Sequence, residues 1–556
     1  MRPAPDPIHA VENQSSPLED FNSFTSDRAL QEAVIREGAE WAVDQLSEAG
    51  TKFAEKNSFR LAALANTYVP TLRTHDRQGR RVDEVDFHPA WHELLKMSIE
   101  RGIVALAWKN PRTGSQVARA ALHYLYSQTE VGTECPIAMS YGVVPVLQKF
   151  SEDWAEIGDL WLPRLLSGSY DPRFIPASQK SGVLFGMGMT ERQGGSDVRS
   201  NITTATPIDN GGLGRPYRIR GHKWFFSAPM CDAFLVLAQT ENGPSCFLVP
   251  RFVADSGLNA LRLLRLKDKL GNHSNASSEV EFHDATGYLL GDEGRGVNTI
   301  IEMAAHTRLD CVLATTGMQR RALSVAIHHA KQRKAFSATL IEKPMMANVL
   351  ADLAVESEAT THLAMYLART FEPEAPDPDQ KIGRILTPAA KYHVCKRGPQ
   401  FAAEAIEVLG GNGYVEETDL ARIYREMPLL SIWEGSGNVM CLDLQRGIAR
   451  EPDTVQALRE KLAAVRGADD RLDKFGENVL AALQNPAEAQ GRRLAHGLVL
   501  AVQGALLVQH APAPVAETFC GTRLLPATAW GASFGTLPDG APTREILERG
   551  APGTED

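Results

Sequence analysis

No two cysteines in this 556-residue chain stand at metal-ligand spacing. The seven present (Cys135, Cys231, Cys246, Cys311, Cys395, Cys441 and Cys520) are scattered and odd in number. That excludes a simple disulfide framework and reads as free thiols in a reducing compartment, so the expectation is a cytoplasmic protein with no metal centre. Long apolar runs are missing too. The best membrane candidate, 498–508, is interrupted by Gln503 and Gly504 and falls short of the ~20 residues a span needs. The start of the chain carries Pro3, Pro5, Pro7 and Pro17 without an apolar core, which excludes a signal peptide. Residues 1–20 therefore read as a flexible arm. No internal repeat or low-complexity tract stands out. Positive charge is also short: the formal net charge is −10, so the whole molecule repels nucleic acid and anionic membrane at long range, and DNA binding would need a local basic patch.

What is present is the composition of a globular chain, with 43% apolar and 23% charged residues. Its length suits about three or four compact units. Residues 21–180 read as helical: 27–46 has a Ser/Asp entry with Leu30, Ala33, Val34 and Trp41 at helical spacing, and 91–107 and 116–131 follow the same pattern. From 181 to 290 the texture becomes β. Short alternating or β-branched runs at 217–220, 234–238, 246–249 and 279–282 are separated by turn residues such as Asn210-Gly211-Gly212. Helical periodicity returns over 291–446, in 300–305, 309–330, 345–370 and 389–408. The acidic, proline-bearing 372–379 reads as an exposed connection. A further, mostly helical stretch occupies 447–556, looser at 511–514 and after Gly531. Segregated helices and strands make the fold class α+β, not alternating βαβ.

Four segments carry candidate chemistry. Residues 187–197 (MGMTERQGGSD) pack glycines and hydroxyls together; such backbone approaches a flat or charged ligand and bonds its acceptors, although a Gly/Ser loop is also an ordinary turn. Lys223-Trp224-Phe225-Phe226-Ser227 ends an alternating strand with aromatics and a hydroxyl. These can pack a core, or wall an isoalloxazine and bond its N5. Glu407 to Tyr414 (EVLGGNGY) ends a helix in glycines, of which a C-cap explains one and phosphate approach the rest. Finally, Ser431-Ile432-Trp433-Glu434-Gly435-Ser436-Gly437-Asn438 sets a carboxylate between an aromatic and a glycine, ahead of an apolar helix. Singly, each has a structural reading. His222 and His306 likewise read as structural histidines.

In type, order and spacing these segments together resemble the acyl-CoA dehydrogenase family, over about residues 30–446. Within it, Arg36-Glu37-Gly38-Ala39, Phe87-His88-Pro89-Ala90-Trp91-His92, 265–275 (RLKDKLGNHSN), 389–398 (AAKYHVCKRG) and 425–438 resemble the branch tied to the adaptive response to DNA alkylation. The resemblance implies an N-terminal helical domain, a central β domain, a C-terminal helical bundle and an extra helical C-terminal extension. It implies FAD as cofactor, lined by Met187, Gly188, Met189, Thr190, Gly195, Ser196, Phe225, Phe226 and Ser227. The pyrophosphate and adenosine would lie on Gly410, Gly411, Gly413 and Arg333, from a neighbouring subunit. The loop carrying Trp433, Gly435, Ser436 and Asn438 would close over the ring.

Glu434 matches the family's base. Chemistry supports the match, because removing an α-proton from a thioester needs a positioned base, and a dry, aromatic-lined cleft makes a carboxylate a stronger one. The implied reaction is α,β-dehydrogenation of a short or branched acyl-CoA, with the thioester carbonyl polarised by the Glu434 N–H and with electron-transfer flavoprotein as acceptor. The alternatives are a DNA-associated flavoprotein that protects or repairs alkylated DNA, and an oxygen-using oxidase. Thr307-Arg308 stands where many relatives have Glu-Arg, which weakens any carry-over of CoA contacts. Shared cofactor sites imply a homotetramer. From Arg446, the one residue singled out for DNA, to the end there are 12 Lys/Arg against 14 Asp/Glu, so arginines would have to cluster to bind phosphates.

Overall fold

The computed structural model describes residues 11–253, 257–484, 486–524 and 540–552. Helices before residue 166 surround an apolar centre, with Ser115–Ser127 buried along its whole length and Glu134–Phe150 beside it. The expected helix over 27–46 is broken: Arg28–Val34 gives way to a wide turn at Ile35–Ala39, where Gly38 takes φ +91°, before Val43–Phe53 resumes. The helical reading of 21–180 also missed a hairpin, Thr71–His75 with Arg81–Asp86. Asp76 makes its turn by accepting from the Gln78 and Arg80 N–H groups. The hairpin reaches the β domain: Arg81 donates to the Leu263 carbonyl, and the Asp83 carboxylate accepts from the Leu263 N–H.

The β domain is a seven-stranded mixed sheet. Ser277–Leu289 pairs with Pro216–Ser227, which pairs with Thr204–Pro207, then Ala233–Thr240, then Gly243–Pro250, which returns to Ser277–Leu289. These five strands close a ring, leaving Phe185–Gly188 and Leu261–Leu266 on its flanks. Closure removes edges within the ring. It also fixes which side chains of Pro216–Ser227 face outward.

The third unit is built on three long helices, Gly296–Gln332, Pro344–Arg369 and Asp377–Leu409. The connection between the last two is not wholly exposed. Glu372 is buried and accepts from the Gln116 N–H at 2.7 Å, capping Ser115–Ser127; burial pushes its carboxyl up to about 7.

The extension beyond 446 is also held in place. Helix Gly491–His510 packs on Asp377–Leu409 and Gly437–Arg450, and Thr543–Gly550 returns to the body, where Arg320 donates to the Gly550 carbonyl. Residues 531–539 of the looser end lie outside the described residues. Of the expected flexible arm, 1–10 also lie outside them, but the rest is tied down: Arg321 donates to the Leu18 carbonyl and the Asp20 N–H to the Ala54 carbonyl. Among the described residues no helix is long and apolar enough to cross a membrane, and no His/Cys/Asp/Glu group could hold a metal.

Candidate active site

Helix Asp419–Leu430 stops soon after Pro428, and the chain turns through 431–436 before Gly437–Arg450 begins. At the tip Glu434 has φ +59° and Gly435 φ +107°. For a glutamate that left-handed backbone costs about 1–3 kcal/mol and persists only where the surroundings enforce it. Two buried cations do so. The Lys391 ammonium donates to the carbonyls of Trp433 (2.6 Å) and Gly435 (2.5 Å), straddling Glu434. The Arg308 guanidinium donates to the Glu434 carbonyl at 3.1 Å and to Asp443 at 2.7 Å.

The Glu434 carboxylate accepts from the Thr307 hydroxyl at 2.7 Å. Burial raises its pKa; the Thr307 hydroxyl and the charges of Arg308 and Lys391 pull it back without cancelling the rise. The result is a strengthened base that stays ionisable. Lys391 lies inside a stretch that carried the resemblance, yet nothing in sequence marks it as the loop's anchor, because a lysine on a helix is normally solvated.

The second wall comes from the sheet. Phe225 is 53% exposed, Phe226 fully buried, and Ser227 half-buried beside Ser277, as strand alternation requires. Phe226 therefore serves the core, not a flavin face, and the expectation for it is corrected. Gly188 has a packing reason as well, since a Cβ there would meet the Phe226 ring at 2.8 Å. Met187, Met189 and Thr190 are half-buried, Gly195 and Ser196 exposed.

This loop is pinned by an ion pair that sequence reading passed over. Lys223 and Glu191, both buried, meet at 2.7 Å, and Glu191 also accepts from Ile202 N–H, Thr203 N–H and the Gln193 amide. Burial would raise Glu191, but the Lys223 charge and these donors outweigh it and hold it low, at about 2; burial lowers Lys223 to about 8 against the pull of Glu191, so the pair is ionised. His222 accepts from the Arg192 N–H and His306 packs among Trp108, Tyr141 and Phe371, pushed by burial to about 4. Both are structural in these settings.

Cys135, another residue the sequence reading left unassigned, is buried, and burial pushes its thiol up to about 12, with the Asn275 and Ser227 side chains and the Glu434 charge also acting on it.

Arg333 and Gly410 cap the C-terminal ends of helices Gly296–Gln332 and Asp377–Leu409. Gly410 has φ +62° and ψ −139°, a conformation open to glycine alone. A Cβ at Gly410 or Gly411 would meet nothing within 4 Å. The C-cap of helix Asp377–Leu409 accounts for the first of these glycines, and the turn stands open to a group approaching from outside. Gly413 differs, since its Cβ would strike the Ile406 carbonyl at 2.5 Å: helix packing explains it. Beside this end Phe336 is 94% and Tyr414 81% exposed.

The donor set suits FAD. An exposed phenyl face on the strand that also carries the Ser227 hydroxyl, beside the Thr190 loop, fits a flat heteroaromatic ring, and the buried Trp433 Nε1 is a donor without a partner. Arg333 and the open glycine turn fit a pyrophosphate and adenosine. Two cavities elsewhere, one of about 250 Å³ lined by Trp91, Tyr170 and Asp232 and one of about 360 Å³ lined by Trp41 and Arg112, contain none of these residues.

Comparison with known proteins agrees. Residues 13–172 match the family model of the adaptive response protein AidB N-terminal domain, 186–285 the acyl-CoA dehydrogenase middle domain and 294–449 its C-terminal domain. The chain is 48% identical to AidB of Escherichia coli (strain K12) over 517 residues, covering 93% of this chain and 94% of that one. The solved structure of Caenorhabditis elegans ACDH-11 in complex with C11-CoA superposes with a TM-score of 0.82 at 26% identity, covering 92% and 93% of the two chains. An acyl-CoA dehydrogenase of Bacillus anthracis complexed with FAD shares the fold, with a TM-score of 0.63 at 18% identity over 84% and 87%.

Proposed function

The chain belongs to the acyl-CoA dehydrogenase family, whose members bind FAD and oxidise CH–CH bonds, and from that premise we propose that it dehydrogenates a short or branched acyl thioester with Glu434 as the base. The observation that carries the reading is the Glu434 turn: a half-buried carboxylate whose backbone is held at positive φ by Lys391 and Arg308 and which Thr307 bonds. FAD, when bound, supplies the two-electron acceptor that loss of a β-hydride requires. Glu434 takes the α-proton onto its carboxylate. As it does so its charge is neutralised, which the dry setting favours. The Glu434 N–H polarises the thioester carbonyl. Phe225, Ser227, Thr190 and Ser196 hold the ring end of the cofactor, and the product is a trans-2-enoyl thioester.

Electron-transfer flavoprotein is the acceptor in this reading. The exposed Phe336 and Tyr414 support a homotetramer, since a second copy would cover them. Glu434→Gln keeps the shape and removes the base. The expected outcome is a yellow, FAD-bound protein that no longer bleaches when titrated anaerobically with a panel of short and branched acyl-CoAs. Bleaching at the wild-type rate would refute the assignment. A second reading, association with DNA in the alkylation response, is favoured by the family model that matches residues 13–172.

A further inference from the structure

Asn13, Gln14 and Ser16 are exposed and Ser15 half-buried, yet residues 13–16 bond to two separate parts of the molecule. Asn13 stands at φ +54°, which asparagine tolerates better than other side chains with a Cβ. From there its amide nitrogen donates to the Lys334 carbonyl at 2.8 Å and its amide oxygen accepts from the Lys334 N–H at 2.7 Å. Its own carbonyl accepts from the Arg333 guanidinium. The next residue, Gln14, accepts with its side-chain oxygen from the Asn412 amide at 3.1 Å, inside the glycine turn. Ser15 bonds His329 at 2.8 Å, and the Ser16 N–H donates to Gln332 at 2.9 Å. Consecutive Cα atoms lie about 3.8 Å apart, so Asn13 and Gln14 bring Arg333 and the 410–413 turn onto one short piece of chain.

We propose that residues 13–16 are a strap that preorganises the adenylate end of the FAD site. Arg333 is a long side chain at the end of helix Gly296–Gln332 and would otherwise sample many rotamers. One bond to Asn13 fixes the direction of its fork and leaves other N–H groups for an anion. The bond to Asn412 sets the glycine turn beside it. A site ordered before binding loses less entropy when the ligand arrives. Asn13 and Gln14 are positioning residues: they act through Arg333 and Asn412 and touch no reacting atom. The proposal rests on Arg333 and the glycine turn being the adenylate end.

The test uses full-length apoprotein and compares FAD with FMN, which lacks the adenylate. Asn13→Ala/Gln14→Ala, which removes the side-chain bonds to Lys334 and Asn412 that seat the strap, is expected to weaken FAD binding about tenfold, read by flavin fluorescence. FMN affinity and the melting temperature of the apoprotein should not move. Arg333→Ala, measured in parallel, should weaken FAD and spare FMN. If Arg333→Ala weakens FAD and the double variant does not, the strap is wrong and the cofactor reading stands. If neither variant affects FAD, the placement of the adenylate fails and the strap with it. Equal losses for FAD and FMN would mean general loosening and would also overturn the proposal.

Discussion

At the scale of single residues, the proposed base is tuned by its neighbour Thr307. The family resemblance would put an acid at that position, and the threonine has a physical sense: its hydroxyl donates to Glu434, where a second carboxylate would repel it. The hydroxyl stabilises the ionised form, so it lowers a pKa that burial has raised. Thr307→Ala removes the lowering contribution, and the Glu434 pKa should rise further. Because the base works ionised, the acid limb of the pH–rate profile for flavin bleaching should shift to higher pH. The rate well above that limb should change little. A limb that stays in place, or moves to lower pH, would contradict the role given to Thr307.

At the scale of elements, the loop 187–196 depends on strand Pro216–Ser227 through Lys223 and Glu191. Breaking one partner of a buried ion pair strands a charge and costs about 3–5 kcal/mol, while replacing both by apolar groups costs far less. Lys223→Met should therefore lower stability in urea by about that amount and weaken FAD binding. Glu191→Leu/Lys223→Met should regain a good part of the stability. Equal losses in the single and double variants would show that the pair acts through something other than its charge.

The same elements mark how far sequence reading goes. The strands over 217–220, 234–238, 246–249 and 279–282 declare themselves by β-branched runs and bounding turns, and each falls within an observed strand. The hairpin at 71–86 does not, because its short, charged strands bury little of their own and gain their place from contacts with Leu263. For the candidate site, Glu434 and its glycine were legible from motif alone. Lys391, Lys223 and Cys135 were not, since what each does is set by partners distant in sequence, which no local pattern encodes. Phe226 was misassigned for the opposite reason: the motif includes it, and alternation turns it inward.

At the scale of the whole molecule, the extension beyond 446 packs into the body that carries the Glu434 loop. Arg492 donates to Asn438 at the mouth of the Glu434 loop, and His496 meets His393 of helix Asp377–Leu409 at 2.9 Å. Much of its positive charge is spent internally. Arg523 pairs with Asp352 and Glu356, Arg549 with Glu32 and Glu358, Arg466 with Glu477 and Arg471 with Asp469, while Lys461 lies over the Tyr366 ring. Arg446, Arg450, Arg459, Lys474 and Arg493 are exposed, too few on one subunit for strong phosphate binding, though assembly would multiply them. If DNA is a partner, a retarded band should form at 50 mM salt and be lost steeply by 200 mM, as phosphate contacts demand. Arg446→Glu/Arg450→Glu should weaken it uniformly across sequences. No retardation at low salt would remove the DNA reading and leave the dehydrogenase reading intact.

All seven cysteines are free and buried. The native surface is therefore silent toward maleimides and related thiol reagents. A single cysteine placed at the exposed Ile208 becomes an address of its own: a dye or spin label attached there reports on one point of each subunit without removing any natural thiol. Distances between identical labels then count the copies in the assembly and measure how they are arranged.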